Sequence, residues 1–480
     1  MSGDDRPALH LTPTVGWMND PNGLAFRDGR LHAFFQYEPD VPRWGRMRWG
    51  HATSRDLLHW DHLPIALEPS IDGADRLGCW SGCLVDDADG RPTILYTGVA
   101  RIGGIRRASI CRATSDDGLV SWSKADTPVI GRPPPGFRPD RFRDPFVWPS
   151  EGGWSMLLGA GTTSGRGAVL LYRSDDLVAW RYVGPFLTTE DVVAADPAVV
   201  VDDIDSPCWE CPQLVHLGGA DVLVVSIVDR APPVRPAHVV AFTGRSTGER
   251  FAIRHTERLG LGPDFYAPAT VAAPDGRRLL LGWIPEDPPA RAARRTWAGS
   301  LTLPRVVSLD AEGRVRITLA DEVERGHGPA ERWPDRTIRD GEAWLRTLEP
   351  GPVELRLTLI PAGAASVRID VSVAGSAVAE VRFDPGDGRL TITRIGRVLV
   401  AGRDPHGTTI LPPSPDGALR LRLILDGSVL ELAADERVTA TARLPGIGAG
   451  ERSISCTAIG GPCRLADIAV ATFPESREAD

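Results

Sequence analysis

The sequence contains a single lysine, Lys124, so arginine supplies almost all of its positive charge. Its 480 residues carry a net charge of −9, which gives no support for a nucleic-acid-binding surface. No apolar run approaches the roughly 20 residues that span a bilayer, and residues 1–13 lack the apolar core of a signal peptide. The seven cysteines do not form a dense disulfide framework. We therefore expect a cytoplasmic protein with neither nucleic-acid nor membrane partners.

Turn-forming residues are abundant, with 51 glycines and 42 prolines, which indicates many short strands. Five segments share one plan, in which a polar motif precedes an apolar stretch, a glycine-rich turn and a second apolar stretch. The marker residues of the five motifs are Asp20, Ser81, Asp144, Glu210 and Ala267, at steps of 61, 63, 66 and 57 residues. Repeats of this length are typical of blades.

Five units of about four strands predict an all-β fold whose first domain, residues 1–323, is a five-bladed β-propeller. The innermost strand of each blade would begin near the axis, so the five polar motifs should converge there. Residues 324–341 are charged and punctuated by Pro and Gly, which predicts a linker. Alternating apolar runs over residues 342–480 predict a C-terminal β-sandwich.

Three of the motifs contribute a carboxylate, and the repeat assigns Asp20, Asp144 and Glu210 to the same point. A single acid of this kind is usually a turn cap, but three that converge indicate acid–base chemistry or a metal site. The spacing of Cys208 and Cys211 is that of half a zinc site, and no second pair exists. We expect no metal and no cofactor.

The residues around the acids are those that bind sugars. Trp17, Trp44 and Trp80 offer aromatic faces, and four polar side chains offer hydrogen bonds to hydroxyls, namely Asn19, Gln36, Ser81 and Arg143.

Two carboxylates suffice to cleave a glycosidic bond, and a separation of about 5 to 5.5 Å gives retention through a covalent intermediate. Asp20 lies between Asn19 and Asn22, which suits an ionised nucleophile. Glu210 lies between Trp209 and Cys211, which offer its carboxylate few hydrogen bonds, and this suits a protonated general acid.

The motifs resemble glycoside hydrolase family 32, the group of invertases, levanases and inulinases. The resemblance is carried by HLTPTVGWMNDPNGLAF around Asp20, by Arg143-Asp144-Pro145 and by Trp209-Glu210-Cys211-Pro212. It extends from His10 to Arg305 through further segments around Gln36, Trp44, Trp80, Tyr266 and Trp297. In the C-terminal half only residues 425–431 show it, and weakly.

The resemblance implies a five-bladed propeller with a β-sandwich and a reaction without a metal. It implies Asp20 as nucleophile, Glu210 as acid/base and Asp144 as the residue that stabilises the transition state. It also implies that Gln36, Tyr266 and Trp297 bind the substrate, together with the residues already named.

Arg46 and Arg48 stand where family members usually have Pro and His, and Cys83 and Pro268-Ala269 also depart from the pattern. The two arginines could favour an anionic leaving group such as a sugar 6-phosphate, or they could be solvated surface residues.

The sequence therefore predicts a β-fructofuranosidase that releases fructose from sucrose or fructans with retention. The alternatives are a fructosyltransferase, a sucrose-6-phosphate hydrolase, an arabinan- or xylan-active hydrolase and a catalytically silent carbohydrate-binding propeller. Oligomeric state is not predicted.

Overall fold

The computed structural model describes residues 5–474, apart from 197–198, 200–203, 231–235, 261, 263, 287–294, 396–405, 412–413, 415 and 445–449. The described residues are organised almost entirely into β-strands, with two short helices. This confirms the all-β prediction.

The first five sheets are antiparallel, apart from one parallel pair in the first sheet, and are built mainly from strands that follow one another in the chain. The first sheet contains β1 (Gly16–Arg27), β2 (Arg30–Glu38), β3 (Arg48–Ser54) and β4 (Asp61–Leu67). The second contains β5 (Gly78–Asp86), β6 (Pro92–Ile102), β7 (Ile105–Thr114) and β8 (Ser123–Lys124). The third contains β9 (Phe137–Ser150), β10 (Gly153–Thr162), β11 (Gly167–Ser174) and β12 (Arg181–Thr188), which helix α1 (Thr189–Ala195) follows.

The fourth sheet contains β13 (Trp209–Leu217), β14 (Ala220–Val228), β15 (Pro236–Ser246) and β16 (Phe251–Leu259). Strands β17 (Tyr266–Ala272) and β18 (Arg278–Ile284) begin the fifth sheet, and β19 (Trp297–Ala298) instead pairs in parallel with β1. The fifth sheet is completed by β20 (Ser300–Leu301), β21 (Arg305–Leu309) and β22 (Val315–Leu319).

The hairpins form where the sequence predicts them, because their turns contain residues that tolerate a positive φ. Asp28 and Gly29 join β1 to β2 with φ values of 49° and 72°. Gly218 and Gly219 join β13 to β14 with φ values of 55° and 87°. Two positive φ values in a two-residue turn match the right-handed twist of the flanking strands.

Contacts between the sheets run through their first strands. Strand β1 contacts β5, β5 contacts β9, β9 contacts β13 and β13 contacts β17. Strand β17 in turn contacts β1. The five polar motifs lie on these five strands and are therefore brought towards one another.

The C-terminal part begins after helix α2 (Asp321–Gly326) and forms two larger sheets that share one hydrophobic core. One contains β23 (Glu331–Arg332), β24 (Arg336–Ile338), β26 (Val353–Pro361), β31 (Leu419–Asp426), β32 (Val429–Ala434), β33 (Val438–Arg443) and β35 (Cys463–Thr472). The other contains β25 (Ala343–Leu348), β27 (Ser366–Val373), β28 (Ser376–Asp384), β29 (Arg389–Arg394), β30 (His406–Ile410) and β34 (Arg452–Ile459).

Alternation of buried and partly exposed residues along β27 and β34 explains why these runs form strands with one face in the core. The segment 324–341, expected to have little regular structure, contributes β23 and β24, and both pair with β35. Two-residue and three-residue strands carry too little apolar periodicity to be recognised in a sequence.

Neither described helix has the length and apolar character that a bilayer crossing needs.

Candidate active site

Each of the five first strands carries a β-bulge at its polar motif. The pairing register shifts at residues 19–20 of β1, at 81 of β5, at 144–145 of β9, at 211–212 of β13 and at 267–268 of β17. A bulge takes residues out of the ladder and re-aims their side chains. At each bulge the motif side chains therefore point in directions that the regular two-sided alternation of a strand would not give them.

The register corrects one expectation. The three acids do not hold equivalent positions, because Asp20 is the second unpaired residue of its bulge and Asp144 is the first. Glu210 is the last paired residue before its bulge and lies opposite Ser226. Cys211 occupies the bulge position that Asp144 holds in the preceding sheet.

The backbone at three successive bulges has the same unusual conformation. Asp144, Cys211 and Ala267 have φ values of 58°, 47° and 45°, and each precedes a proline. Non-glycine residues with left-handed backbone cost roughly 1–2 kcal/mol each. Such strain is maintained only where the surrounding structure holds it, which is characteristic of functional sites.

Asp20 is partly exposed and accepts hydrogen bonds from three sides. The Ser81 hydroxyl donates to Oδ2 at 2.7 Å, and the Asn19 amide donates to Oδ1 at 3.0 Å. The Cys211 thiol lies 3.7 Å from Oδ2. Asn19 is itself oriented by the Trp17 indole N–H, which donates to its carbonyl oxygen at 2.8 Å. These contacts orient the Asp20 carboxylate.

Asp144 is almost fully buried. Its carboxylate accepts the backbone N–H of Cys211 at 3.0 Å, and the Cys211 thiol lies 3.6 Å from the same oxygen. Burial and the charges of Glu210 and Asp20 together raise the pKa of Asp144 to about 8, against the opposing effect of the neighbouring Arg143. Asp144 is therefore largely protonated at neutral pH in the unliganded site.

Glu210 is held by two donors from the neighbouring sheets. Arg143 Nη1 lies 2.9 Å from Oε1, and the Tyr266 hydroxyl donates to Oε2 at 3.0 Å. Arg143, Glu210 and Tyr266 are each the last paired residue before their bulge, which brings them to the same level. The expectation that Glu210 has few hydrogen-bond partners was therefore wrong, because its partners come from distant parts of the chain.

Trp80 connects these acids to the surface. The Arg143 guanidinium lies 4.8 Å from its ring centroid, and the exposed Trp44 packs edge-on against it at 5.6 Å. The Gln36 amide donates to the backbone carbonyl of Cys79, the residue before Trp80. Trp80 therefore contacts both Arg143 and Trp44, and Gln36 is hydrogen-bonded to the backbone of the residue that precedes it.

Trp297 has a different setting from the other predicted substrate-binding residues. It is buried on β19, with the Arg6 guanidinium 4.5 Å from its ring centroid and Arg295 at 5.4 Å. Arg443 of β33 also lies 5.9 Å from the ring centroid, so the Trp297 ring contacts arginines of the N-terminal segment, of the β18–β19 connection and of the C-terminal part.

The two arginines that depart from the family pattern are not alike. Arg48 is ion-paired with Glu38 at 3.0 Å and with Asp40 at 3.2 Å, so its charge is compensated within its own sheet. The Arg46 guanidinium is exposed and donates to backbone carbonyls, including that of Arg76 at 3.1 Å.

Two residues of the site were not singled out by the sequence patterns. Cys211 touches both Asp20 and Asp144, although only its motif was recognised. The Thr97 hydroxyl accepts the backbone N–H of Asp144 and donates to the backbone carbonyl of Ser81, and so joins two of the bulges. No sequence signal marks Thr97, because it lies mid-strand on β6 among apolar residues.

Among the described residues, no group of three or more His, Cys, Asp or Glu side chains is arranged to hold a metal ion. Cys208 lies apart from the acids, with its thiol directed at the backbone carbonyl of Trp209.

The chain was compared with known proteins. The family model of the glycosyl hydrolases family 32 N-terminal domain matches residues 10–318. Raffinose invertase of Escherichia coli is 40% identical over 331 residues, which are 66% of this chain and 65% of that protein. Sucrose-6-phosphate hydrolase of Escherichia coli is 34% identical over 449 residues, covering 89% of this chain and 86% of that protein.

Among solved structures, a family 32 β-fructofuranosidase of Bombyx mori is 26% identical, with a TM-score of 0.78 over 98% of this chain and 94% of that one. An exo-inulinase of Aspergillus awamori is 22% identical, with a TM-score of 0.81 over 98% of both chains. The motifs, the family model and the relatives agree, and the chain belongs to glycoside hydrolase family 32.

Proposed function

We propose that this protein is a retaining β-fructofuranosidase that releases fructose from sucrose or from fructans. The observation that carries the proposal is a set of contacts that links the three acids. Cys211 contacts both Asp20 and Asp144, and Arg143, the residue before Asp144, is ion-paired with Glu210. Double displacement at an anomeric carbon requires a pair of carboxylates. This site provides such a pair with a third acid beside it.

In this proposal Asp20 attacks C2 of the fructosyl unit. Its oxygens accept hydrogen bonds from Ser81 and Asn19, which orient it for the attack. Glu210 protonates the leaving oxygen and then activates water, and Tyr266 and Arg143 fix its position through both transfers. The protonated Asp144 can donate to one fructosyl hydroxyl and accept from another, while Arg143 orients Glu210.

The proposed fold is a five-bladed β-propeller over residues 1–323, a connection over 324–341 and a β-sandwich over 342–480. Support comes from five sheets of four or five strands, whose first strands contact one another in sequence, and from the contact between β17 and β1. The two larger sheets with a shared core support the sandwich.

We also propose a cytoplasmic location. All seven cysteines are buried free thiols, which suits a reducing compartment.

The first experiment measures monosaccharide release from sucrose, inulin, levan and an arabinoside by the wild-type protein and by Asp20→Asn. We expect glucose and fructose in equal amounts from sucrose, no release from the arabinoside, and a loss of at least about a thousandfold in kcat for Asp20→Asn. Asp61→Asn, which changes an exposed carboxylate of the same sheet, is the matched control and should retain activity.

Three results would contradict the proposal. A large excess of glucose over fructose would indicate transfer to another sugar, and release from the arabinoside alone would indicate a different substrate class. Binding of sucrose without turnover would indicate a carbohydrate-binding protein.

A further inference from the structure

The connection between β2 and β3, residues 39–47, carries Trp44 and is held near both of its ends by one carboxylate. That carboxylate belongs to Glu38, the last residue of β2, which is almost fully buried. Its Oε1 accepts the backbone N–H of Asp40 at 3.2 Å, and its Oε2 accepts the backbone N–H of Arg46 at 2.7 Å. The backbone on either side of Trp44 is therefore fixed to the same side chain.

Two further contacts fix the Glu38 carboxylate itself. The Arg48 guanidinium donates to Oε1 at 3.0 Å. A Cβ at Gly45 would lie 2.7 Å from Oε2, so the backbone of the connection packs directly against the carboxylate. Hydrogen bonds to an ionised acceptor are stronger than neutral ones, and both oxygens of Glu38 are engaged in them.

The Arg46 end of the connection also rests on the loop that precedes β5, residues 68–77. Arg46 Nε donates to the backbone carbonyl of Arg76 in this loop at 3.1 Å. The loop is fixed in turn by Asp75, which is ion-paired at 2.5 Å with Lys124, the single lysine of the chain. Arg46 is therefore supported by a loop that has its own buried anchor.

Trp44 lies at the outer end of a row of side chains that begins at Glu210. Arg143 is ion-paired with Glu210 at 2.9 Å, and its guanidinium lies 4.8 Å from the Trp80 ring centroid. Trp44 packs edge-on against Trp80 at 5.6 Å, and it is 48% exposed where Trp80 is 9% exposed. Because Glu210 protonates the leaving oxygen in the proposed reaction, a group that leaves towards Trp80 would reach the exposed ring of Trp44.

We propose that Glu38 is a positioning residue that holds Trp44 beside Trp80 and thereby sets the affinity for the part of the substrate beyond the fructosyl unit. The inference rests on the proposed function and adds to it a residue that touches no reacting atom. A carboxylate is required, because an amide of the same shape has one acceptor oxygen and turns an N–H donor towards the other bonded group. Glu38→Gln therefore breaks one of the two backbone contacts without a change in size.

The first test measures KM and kcat with sucrose and inulin for the wild type, Glu38→Gln, Trp44→Ala and the double variant. We expect Glu38→Gln to raise KM by about threefold or more with kcat within about twofold, because binding must then order a mobile Trp44. Trp44→Ala should raise KM at least as much, and in its background Glu38→Gln should change KM by less than about twofold. An equal increase in both backgrounds would overturn the proposal, because Glu38 would then act without Trp44.

Glu342→Gln is the matched control. Glu342 accepts the backbone N–H of Arg339 at 3.0 Å and the guanidinium of Arg336 at 2.8 Å, so it makes the same two kinds of contact in the C-terminal part. Its KM and kcat should match those of the wild type. A rise in KM equal to that of Glu38→Gln would overturn the proposal, because the effect would then be a general one of removing such a charge.

Two measurements do not depend on turnover. Hydrogen–deuterium exchange of residues 39–47 should become at least about tenfold faster in Glu38→Gln, because the backbone N–H groups on either side of Trp44 lose their shared acceptor. Oxidative footprinting read by mass spectrometry should show more oxidation of Trp44 and no change at the buried Trp49. Unchanged exchange and oxidation would overturn the proposal. Both changes in a protein that cleaves no fructoside would support the positioning of Trp44 and contradict the proposed function alone.

Discussion

At the scale of single residues, the site is organised around a buried acid that its neighbours keep protonated. Asp144 lies in the left-handed region, with its carboxylate facing the backbone N–H and thiol of Cys211. Burial, with the charges of Glu210 and Asp20, outweighs the opposing effect of Arg143 on its pKa. An acid of this kind destabilises the fold when it ionises, which is a common cost of a catalytic site.

Asp144→Asn should therefore stabilise the protein in a pH-dependent way. The native carboxyl keeps its proton up to about pH 8, whereas an unfolded aspartate loses it near pH 4. Unfolding thus releases a proton between these values, and the free energy of unfolding of the wild type falls as the pH rises. We expect the variant's gain in Tm over wild type to grow from pH 5 to pH 8 by at least about 2 °C. A gain that does not change with pH would contradict this.

At the scale of the elements, the bulges of the five first strands place the site residues. The apolar runs predicted the strands, but the extra residue at each bulge left no trace in the periodicity. The consequence is greatest at β13, where the bulge makes Cys211 the neighbour of Asp144 and leaves Glu210 level with Arg143 and Tyr266. The geometry depends on β13 lying close against β10.

Gly159→Ala tests that dependence. A Cβ at Gly159 of β10 would lie 2.4 Å from the backbone carbonyl of Trp209. The new methyl group must push β13, and Glu210 with it, away from the third sheet. We expect a loss of about 1–3 kcal/mol in the free energy of unfolding and at least about a tenfold loss in kcat.

Gly184→Ala is the control for this variant. Gly184 lies on β12 of the same sheet, and a Cβ there would meet no heavy atom within 4 Å. Its stability and kcat should stay close to wild type. Similar losses in the two variants would show that the effect is a general cost of replacing glycine in this sheet.

At the scale of the whole molecule, buried polar contacts join the N-terminal segment and the fifth sheet to the C-terminal strands. His10 Nδ1 lies 2.6 Å from Asp426 and its Nε2 lies 3.5 Å from Glu431, and Glu431 is also paired with Arg305 at 2.5 Å. Burial opposes the charged form of His10, but the hydrogen bonds and charges of the two acids outweigh it and raise its pKa. The two halves are thus connected by charged groups that must remain paired.

His10→Gln should lower the stability of the protein, and more at low pH than at high pH. The native His10 keeps its proton above the ordinary pKa of about 6.5, so its contribution is full below that value and is lost as the pH rises through the raised native pKa. Removal of one partner from a buried pair costs about 3–5 kcal/mol. Chemical unfolding of both proteins at pH 6 and pH 8.5 measures the loss in the free energy of unfolding. A larger loss at pH 8.5 than at pH 6 would contradict a raised pKa for His10.

The sequence by itself determined the β-strands, the hairpins and the three acids, because period-two apolar runs, turn residues and short motifs depend on residues close together in the chain. Its alternating apolar runs correspond to eight C-terminal strands, namely β26 to β29, β31 to β33 and β35. They did not mark β25, β30 and β34, nor β23 and β24, which pair with β35.

Only the tertiary structure decided how the site residues meet. The partners of Glu210 come from 67 and 56 residues away in the chain. Arg46 and Arg48 have different settings because only Arg48 is ion-paired with an acid. Trp297 is a further example. The family segment that contains it gives no indication of the arginines against which its ring packs. A hydrogen bond between distant residues depends on bulges, register and the contact of neighbouring sheets. None of these is encoded in the local pattern of any one segment, so the environment of each acid emerged only once the sheets were assembled.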